Sequence, residues 1–275
     1  MSSAIVKTVG GVINATSILA PKYAAKKAID LFSSPRKGRY TAEQNTIISS
    51  AFFEEVDVNG HSIATYRWPG KNKTILLAHG WESNASRWDY ILNDLRYQDY
   101  NIIALDAPAH GKSSGKQFNA LKYAEFLSII TNKHKPEVVI GHSVGGMATV
   151  FCLNRYDTPS VKKIVLLGAP AHFTGVFKRY KVMMGYNHKV ATGLDKYVLE
   201  NFGKPVDYFS AANFTSILTI EGLIIHDTKD KIIPYEDGQL FAKKFKNSKF
   251  ISTTGLGHSL KDDSLTPQII EFINS

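Results

Sequence analysis

The chain reads VVIGHSVGG at residues 138–146, a pattern that joins a short buried strand to a helix through a serine. A continuously apolar run precedes Ser143, a segment typical of a helix follows it, and Gly141 and Gly145 flank it. Glycines in these positions allow the backbone to turn so sharply that the serine side chain projects from the sheet, while the Val144 amide points at the reacting oxygen. We therefore predict that Ser143 is a nucleophile.

Other short apolar runs predict a mostly parallel sheet around this turn. They lie at residues 74–78, 101–105, 164–167 and 223–225. Their hydrophobicity is continuous rather than alternating, which is typical of strands buried on both faces. Segments typical of helices separate these runs, and upstream a β-rich pair joined by Asn59-Gly60 predicts a hairpin. The predicted fold class is α/β, with helices on both faces of a mostly parallel central sheet.

Two further motifs resemble those of the α/β-hydrolase family, and the resemblance extends from about residue 52 to the C-terminus. His79-Gly80-Trp81 is similar to the family's His-Gly-x segment, and residues 106–113, DAPAHGKS, are similar to its Asp-x-x-x-x-Gly-x-Ser loop, whose role is mainly structural. The resemblance implies an oxyanion hole formed by the backbone amides of Trp81 and Val144.

The resemblance also implies an acid and a base that follow the nucleophile in the chain. The run HDTKDKIIP at residues 226–234 is similar to the family's His-Gly-x-x-Asp-x-x-Val-Pro pattern, which places the acid at Asp230 and leaves Asp227 as the alternative. The base comes last in family order, and His258 is the only histidine after residue 226. We expect a triad of Ser143, His258 and Asp230, with Asp227 bonded to turn amides as loop aspartates commonly are.

Residues 171–216 separate two strands by far more than a crossover helix needs, which predicts an inserted cap. The insertion is rich in aromatic residues and methionine, so one hypothesis is that it walls an apolar pocket, and the other is that these side chains only anchor it. The candidate pocket residues are Phe173, Phe177, Met183 and Met184. The predicted domains are an N-terminal extension of residues 1–50, a core of residues 51–170 and 217–275, and the cap.

The net charge of +9 is concentrated near the N-terminus, because the first forty residues hold seven basic side chains and one acid, Asp30. The rest of the chain has no basic stripe interleaved with aromatics, so no nucleic-acid partner is predicted. Residues 1–40 are interpreted either as a basic amphipathic segment, in peripheral contact with an anionic membrane or covering the substrate entrance, or as an extension packed on the domain. Cys152 is the only cysteine, which favours a reducing, cytoplasmic location. If residues 1–40 contact a membrane, the protein would also be membrane-associated.

These observations predict a serine hydrolase that cleaves a small-molecule carboxylic ester or thioester of an apolar acyl group. No histidine pair has a metal-binding spacing, so neither a metal nor a cofactor is predicted, and the oligomeric state is left open. The same fold also supports acyltransferases, C–C bond hydrolases, cofactor-free peroxidases and binding proteins without catalysis. The rival hypothesis from another class is a non-catalytic, membrane-docked, ligand-binding protein.

Overall fold

The computed structural model describes residues 3–275, which divide into two compact units. The chain up to Ser34 and His172–Ser210 form one unit, which we call the helical unit. Pro35–Ala171 and Ala211–Ser275 form the other, which we call the sheet unit. The N-terminal segment thus belongs to the same unit as the insertion.

The sheet unit holds eight strands and seven α-helices in its described residues. The strands are β1 (Phe52–Val58), β2 (His61–Trp68), β3 (Asn72–Ala78), β4 (Tyr100–Leu105), β5 (Val138–His142), β6 (Lys163–Leu167), β7 (Glu221–Asp227) and β8 (Ser248–Thr253). Its helices are α3 (Ala42–Ile48), α4 (Asp89–Tyr97), α5 (Ala120–His134), α6 (Val144–Arg155), α9 (Ala211–Thr215), α10 (Tyr235–Lys244) and α11 (Thr266–Asn274). The strand order is β1-β2-β4-β3-β5-β6-β7-β8. Strand β2 is antiparallel to both of its neighbours, β1 and β4, and all strands from β3 to β8 are parallel to one another.

Alternating strand residues pack against helices on both faces of this sheet. Ile75 and Leu77 of β3 belong to a buried cluster that includes residues of α3, α4 and α11. On the other face, Val139 of β5 lines a small cavity with Leu127 of α5 and Cys152 of α6. The observed architecture confirms the predicted fold class. It also puts residues 35–50 in the sheet unit, because Ile48 of α3 is buried in the same cluster as β3.

One strand has no counterpart in the sequence prediction. β8 is a six-residue edge strand that has only exposed and half-buried residues, so it lacks the continuous apolar run by which the inner strands are recognised. It lies parallel to β7, with Asp227 opposite Thr253. This register brings the loop after β7 and the loop after β8 to the same edge of the sheet.

The helical unit contains α1 (Ser3–Leu19), α2 (Pro21–Ser33), α7 (Phe173–Met184) and α8 (His188–Phe202). Aromatic rings join two of these helices, since Phe32 of α2 lies 5.4 Å from Phe177 and 4.8 Å from Tyr180 of α7 between ring centroids. The Tyr180 hydroxyl also donates to the Ala28 carbonyl at 2.7 Å. No helix of residues 3–275 is long and apolar enough to span a membrane.

Candidate active site

The turn after β5 holds Ser143 in a backbone conformation that few L-residues adopt. Its φ is +53° and its ψ is −128°, and α6 starts at the next residue. A Cβ on Gly145 would lie 2.3 Å from the Ala78 carbonyl oxygen, and one on Gly141 would lie 2.5 Å from the Cα of Gly146. Both glycines of the motif are therefore required by close backbone approach. Strain of this kind costs on the order of 1–3 kcal/mol and is concentrated at functional sites.

The structure brings Ser143, His258 and Asp230 together from three separate loops. The Ser143 Oγ lies 3.0 Å from His258 Nε2, and His258 Nδ1 lies 2.7 Å from the Oδ2 of Asp230. A carboxylate can only accept at that distance, so Nδ1 carries the proton and Nε2 is left to accept from the serine hydroxyl. This is the arrangement that a general base and its orienting acid require.

The Asp230 carboxylate stays ionised despite its buried position. Burial alone would raise its pKa, but hydrogen bonds from His226 and His258 and from the Ile233 amide outweigh that effect and lower the pKa below the usual range. Its Oδ1 accepts from the Ile232 and Ile233 amides at 2.8 and 3.0 Å, which fixes the orientation of the carboxylate. A fixed negative charge therefore faces the Nδ1 side of His258.

Asp227, the alternative acid, has a different set of partners. Its oxygens accept from the Lys229 and Leu256 amides, both at 2.9 Å, and from the Thr253 hydroxyl at 2.7 Å. Burial would raise its pKa, but these hydrogen bonds lower it to about 2. Asp227 thus ties the loop after β7 to the loop that carries His258.

The segment predicted to supply the second oxyanion donor lies directly against Ser143. A Cβ on Gly80 would lie 2.9 Å from the Cβ of Ser143. Within residues 3–275, neither the Trp81 nor the Val144 amide donates to another protein group, as expected at the first position of a helix for Val144. The buried His79 ring holds this segment, because its Nδ1 lies 2.7 Å from the Gly80 carbonyl and its Nε2 accepts from the Ala107 amide at 2.9 Å.

The loop after β4 has a structural role. Asp106 is fully buried and accepts from the Tyr66 and Tyr40 hydroxyls at 2.8 and 2.9 Å and from the Ala85 and Lys112 amides at 2.9 Å. Burial raises its pKa. The carboxylate therefore ties the loop after β3, the loop after β4 and the chain before α3 into one network.

Two buried side chains that sequence reasoning did not assign hold the loop that carries His258. An Nη2 of Arg87 donates to the Ser259 carbonyl at 2.5 Å, and Nε2 of His142 donates to the His258 carbonyl at 2.8 Å. Burial lowers the pKa of Arg87 to about 10 and that of His142 well below its ordinary value. The position of His142 beside Ser143 was a signal in the sequence. Arg87 lies 172 residues before Ser259, so nothing in the sequence indicated that contact.

The four candidate pocket residues all lie on α7. Phe177 and Met184 are buried, and the rings of Phe173 and Phe177 lie 6.0 and 5.4 Å from Phe32 of α2, so these contacts hold α7 within the helical unit. Met183 is 57% exposed. Their role as pocket residues stays a prediction. In residues 3–275 no group of three or more His, Cys, Asp or Glu side chains is arranged to hold a metal ion.

A family model described as alpha/beta hydrolase fold matches residues 73–206. The chain is 24% identical to a non-heme haloperoxidase of Rhodococcus erythropolis over 76% of its own length and 95% of that protein. It is also 24% identical to a bifunctional esterase/perhydrolase of Acinetobacter calcoaceticus, over 75% of its length and 94% of that protein. Among solved structures, an esterase from a Rhodococcus species superposes with a TM-score of 0.62 at 20% identity, covering 82% of this chain and 99% of that one.

Proposed function

Because the chain belongs to the α/β-hydrolase fold family, we propose that it hydrolyses a carboxylic ester or thioester through an acyl-enzyme formed on Ser143. One observation carries the proposal: the 3.0 Å contact of Ser143 Oγ with His258 Nε2, with Asp230 bonded to the opposite nitrogen at 2.7 Å. The strained turn does not need these two contacts for its own stability, so they favour a catalytic role for Ser143. The esterase relatives support the same chemistry.

In the acylation step, His258 Nε2 removes the hydroxyl proton as Ser143 Oγ attacks the carbonyl carbon. The carbonyl oxygen becomes negatively charged, and the Trp81 and Val144 amides donate hydrogen bonds to it. His258 is then an imidazolium, which the Asp230 carboxylate stabilises through Nδ1. The tetrahedral intermediate collapses when Nε2 returns its proton to the departing alkoxide or thiolate, and Ser143 keeps the acyl group.

In the deacylation step, water takes the place of the alcohol or thiol. His258 Nε2 removes one of its protons, the hydroxide attacks the acyl carbon, and the carboxylic acid leaves as the proton returns to Ser143 Oγ. The same groups therefore serve both half-reactions. Among the protein groups, only Ser143 and His258 change their protonation state.

An apolar acyl group is the substrate class that fits the surroundings. The Trp81 side chain, which follows Gly80 on the segment next to Ser143, is 37% exposed and packs edge-on against Phe118 at 5.4 Å. An aromatic surface beside the reacting serine favours hydrocarbon over charged acyl groups. The aromatic and methionine content of residues 171–216 favours the same class.

Replacement of Ser143 by alanine tests the proposal. Hydrolysis of p-nitrophenyl esters and acyl-CoA thioesters of increasing chain length should fall by about 10⁴-fold or more in Ser143→Ala, since the nucleophile is lost while binding remains. Thermal unfolding serves as the control for folding. Alanine at 143 keeps the strained φ of +53°, whereas glycine relieves it, so only Ser143→Gly is expected to show no loss of stability. Undiminished ester hydrolysis by Ser143→Ala would show that another residue is the nucleophile.

The two peroxide-linked relatives favour a second activity of the same acyl-enzyme. If hydrogen peroxide replaces water in deacylation, His258 removes one peroxide proton and the product is a peroxycarboxylic acid instead of a carboxylic acid. The measurement is formation of peracid from acetate and hydrogen peroxide at mildly acidic pH by the wild-type protein and by Ser143→Ala. Peracid formation that does not depend on Ser143 excludes this route.

A further inference from the structure

The first helix of the chain turns two polar side chains inward and exposes several large apolar ones. Asn14 and Ser17 of α1 face the helical unit together with the buried Ile13: Asn14 Nδ2 donates to the Gly185 carbonyl at 2.8 Å, and the Ser17 hydroxyl, fully buried, donates to the Asn14 carbonyl at 2.7 Å. The solvent side is mostly apolar. Its large side chains are Ile5 at 51%, Val12 at 62%, Ile18 at 67% and Leu19 at 93% exposure.

The exposed residues of α1, apart from Lys7, form one continuous face. Ala4, Ile5, Thr8, Gly11, Val12, Ala15, Ile18 and Leu19 follow one another at intervals of one or three, all are exposed, and the exposed Lys7 borders them. We call this face the α1 stripe. The Thr8 hydroxyl donates to the Ala4 carbonyl at 3.0 Å, so it is already bonded within the helix. The stripe therefore has no charged group and can leave water without losing a hydrogen bond.

The next helix presents the opposite character to solvent. Lys22, Tyr23, Lys26 and Lys27 of α2 are all exposed, while Ala24, Ala25, Ala28 and Ile29 on its other side are buried. The α1 stripe ends at Leu19, three residues before Lys22, so the lysines adjoin its end. Lysine and tyrosine beside an apolar face are typical of helices that lie at the surface of a bilayer.

The charge of the whole helical unit has the same sign. The chain up to Ser34 and residues 172–210 carry ten Lys and Arg against four Asp and Glu, so this unit accounts for six of the nine net positive charges. At the contact of α1 with α7, a Cβ on Gly10 would lie 1.8 Å from the Met184 carbonyl oxygen. That contact places the exposed side chains of Val182 and Met183, 72% and 57% accessible, close to α1.

We infer that the helical unit docks on anionic lipid, with the α1 stripe lying in the interface and the α2 lysines contacting the headgroups. An uncharged apolar face next to a basic one fits an anionic bilayer surface better than a protein partner. The apolar face can contact the acyl chains while the lysines contact the anionic headgroups. α1 lies along the surface and does not cross the membrane, consistent with its 17 residues. The inference is independent of the ester chemistry.

Vesicle co-sedimentation of the full chain tests the inference. The wild-type protein should bind phosphatidylcholine vesicles that contain about 30 mol% phosphatidylserine, bind pure phosphatidylcholine more weakly, and lose affinity as salt is raised. The triple variant Ile5→Gln/Val12→Gln/Leu19→Gln should bind at least about tenfold more weakly, because glutamine retains helix propensity but removes the apolar side chains. Lys22→Gln/Lys26→Gln/Lys27→Gln should lose about fivefold per lysine and most of the salt dependence.

The matched control makes the same kind of change on the sheet unit. Tyr97 and Ile217 are 88% and 70% exposed, and Tyr97→Gln/Ile217→Gln should bind as the wild type does. Thermal unfolding of every variant checks folding. Absence of wild-type binding to the anionic vesicles at low salt, or equal binding by the α1 variant, overturns the inference. So does a wild-type dimer in sedimentation velocity that the α1 variant converts to monomer without any vesicle binding, since the stripe would then be covered by a second copy.

Discussion

Replacement of Asp230 by asparagine should abolish most of the activity while leaving the fold in place. The carboxylate Oδ2 lies 2.7 Å from His258 Nδ1, so it faces the positive charge that forms on the imidazole during acylation. Two unit charges about 4 Å apart at an effective dielectric constant near 20 attract by about 4 kcal/mol, which corresponds to roughly 10³-fold in rate. An asparagine amide also disturbs the histidine tautomer, so the expected loss in kcat is about 10³- to 10⁴-fold.

The assay is kcat and KM for a p-nitrophenyl ester, with Asp227→Asn as the matched variant. Asparagine at 230 can still accept from the Ile232 and Ile233 amides, so the fold should be retained, but the urea midpoint at pH 7 should fall because the depressed pKa of the carboxylate contributes to stability. Asp227→Asn should keep kcat within about tenfold but lower the free energy of unfolding at pH 7, because the pKa of about 2 in the folded state lies below the ordinary 3.8. The folded-state pKa is depressed, so this stability is present above about pH 4 and lost as the pH falls towards 2. Loss of activity in Asp227→Asn with retention in Asp230→Asn refutes the assignment of the acid.

Three further predictions concern the scaffold of the site. Gly145→Ala should prevent folding or lower the free energy of unfolding by more than about 3 kcal/mol, because its Cβ would lie 2.3 Å from a backbone oxygen. In the control Gly11→Ala the Cβ meets nothing within 4 Å, so urea unfolding should show a neutral or stabilising effect. Arg87→Met should lower kcat by about tenfold or more with little change in KM, because His258 loses the anchor of its loop, and steady-state kinetics measure this split. Burial lowers the pKa of His79 to about 4, below its ordinary value of 6.5, so unfolding below about pH 6.5 takes up a proton. The urea midpoint should therefore fall as the pH drops from about 6.5 to 4. A midpoint that does not change with pH across that range contradicts this prediction.

The inner strands and the nucleophile turn could be predicted because their signals are local. β5 is buried on both faces and therefore reads as a continuous apolar run, and Gly141 and Gly145 are needed by contacts within a few residues or with the adjacent strand. The choice of Asp230 over Asp227 came from the resemblance to a family, and the structure gives each aspartate distinct partners.

The features that sequence reasoning missed depend on contacts between distant residues. β8 is an edge strand with mixed burial and gives no apolar run, and Arg87 meets Ser259 only through the folded arrangement of two loops. One interpretation of the N-terminal segment was an extension packed on the domain, but the sequence did not indicate that Phe32 packs on α7 of the insertion, 141 or more residues away in the chain. Amphipathic spacing shows that a helix has two faces. It does not show which face the fold will bury.

Covalent labelling by a fluorophosphonate probe shows directly whether Ser143 is an activated nucleophile. The probe phosphonylates an activated serine by displacement of fluoride, and peptide mass spectrometry locates the adduct. We expect one adduct per chain on Ser143, with labelling abolished in Ser143→Ala and slowed by at least about 10³-fold in His258→Ala. A folded wild-type protein that takes up no probe, or an adduct on another residue, contradicts it and favours a binding protein over a hydrolase.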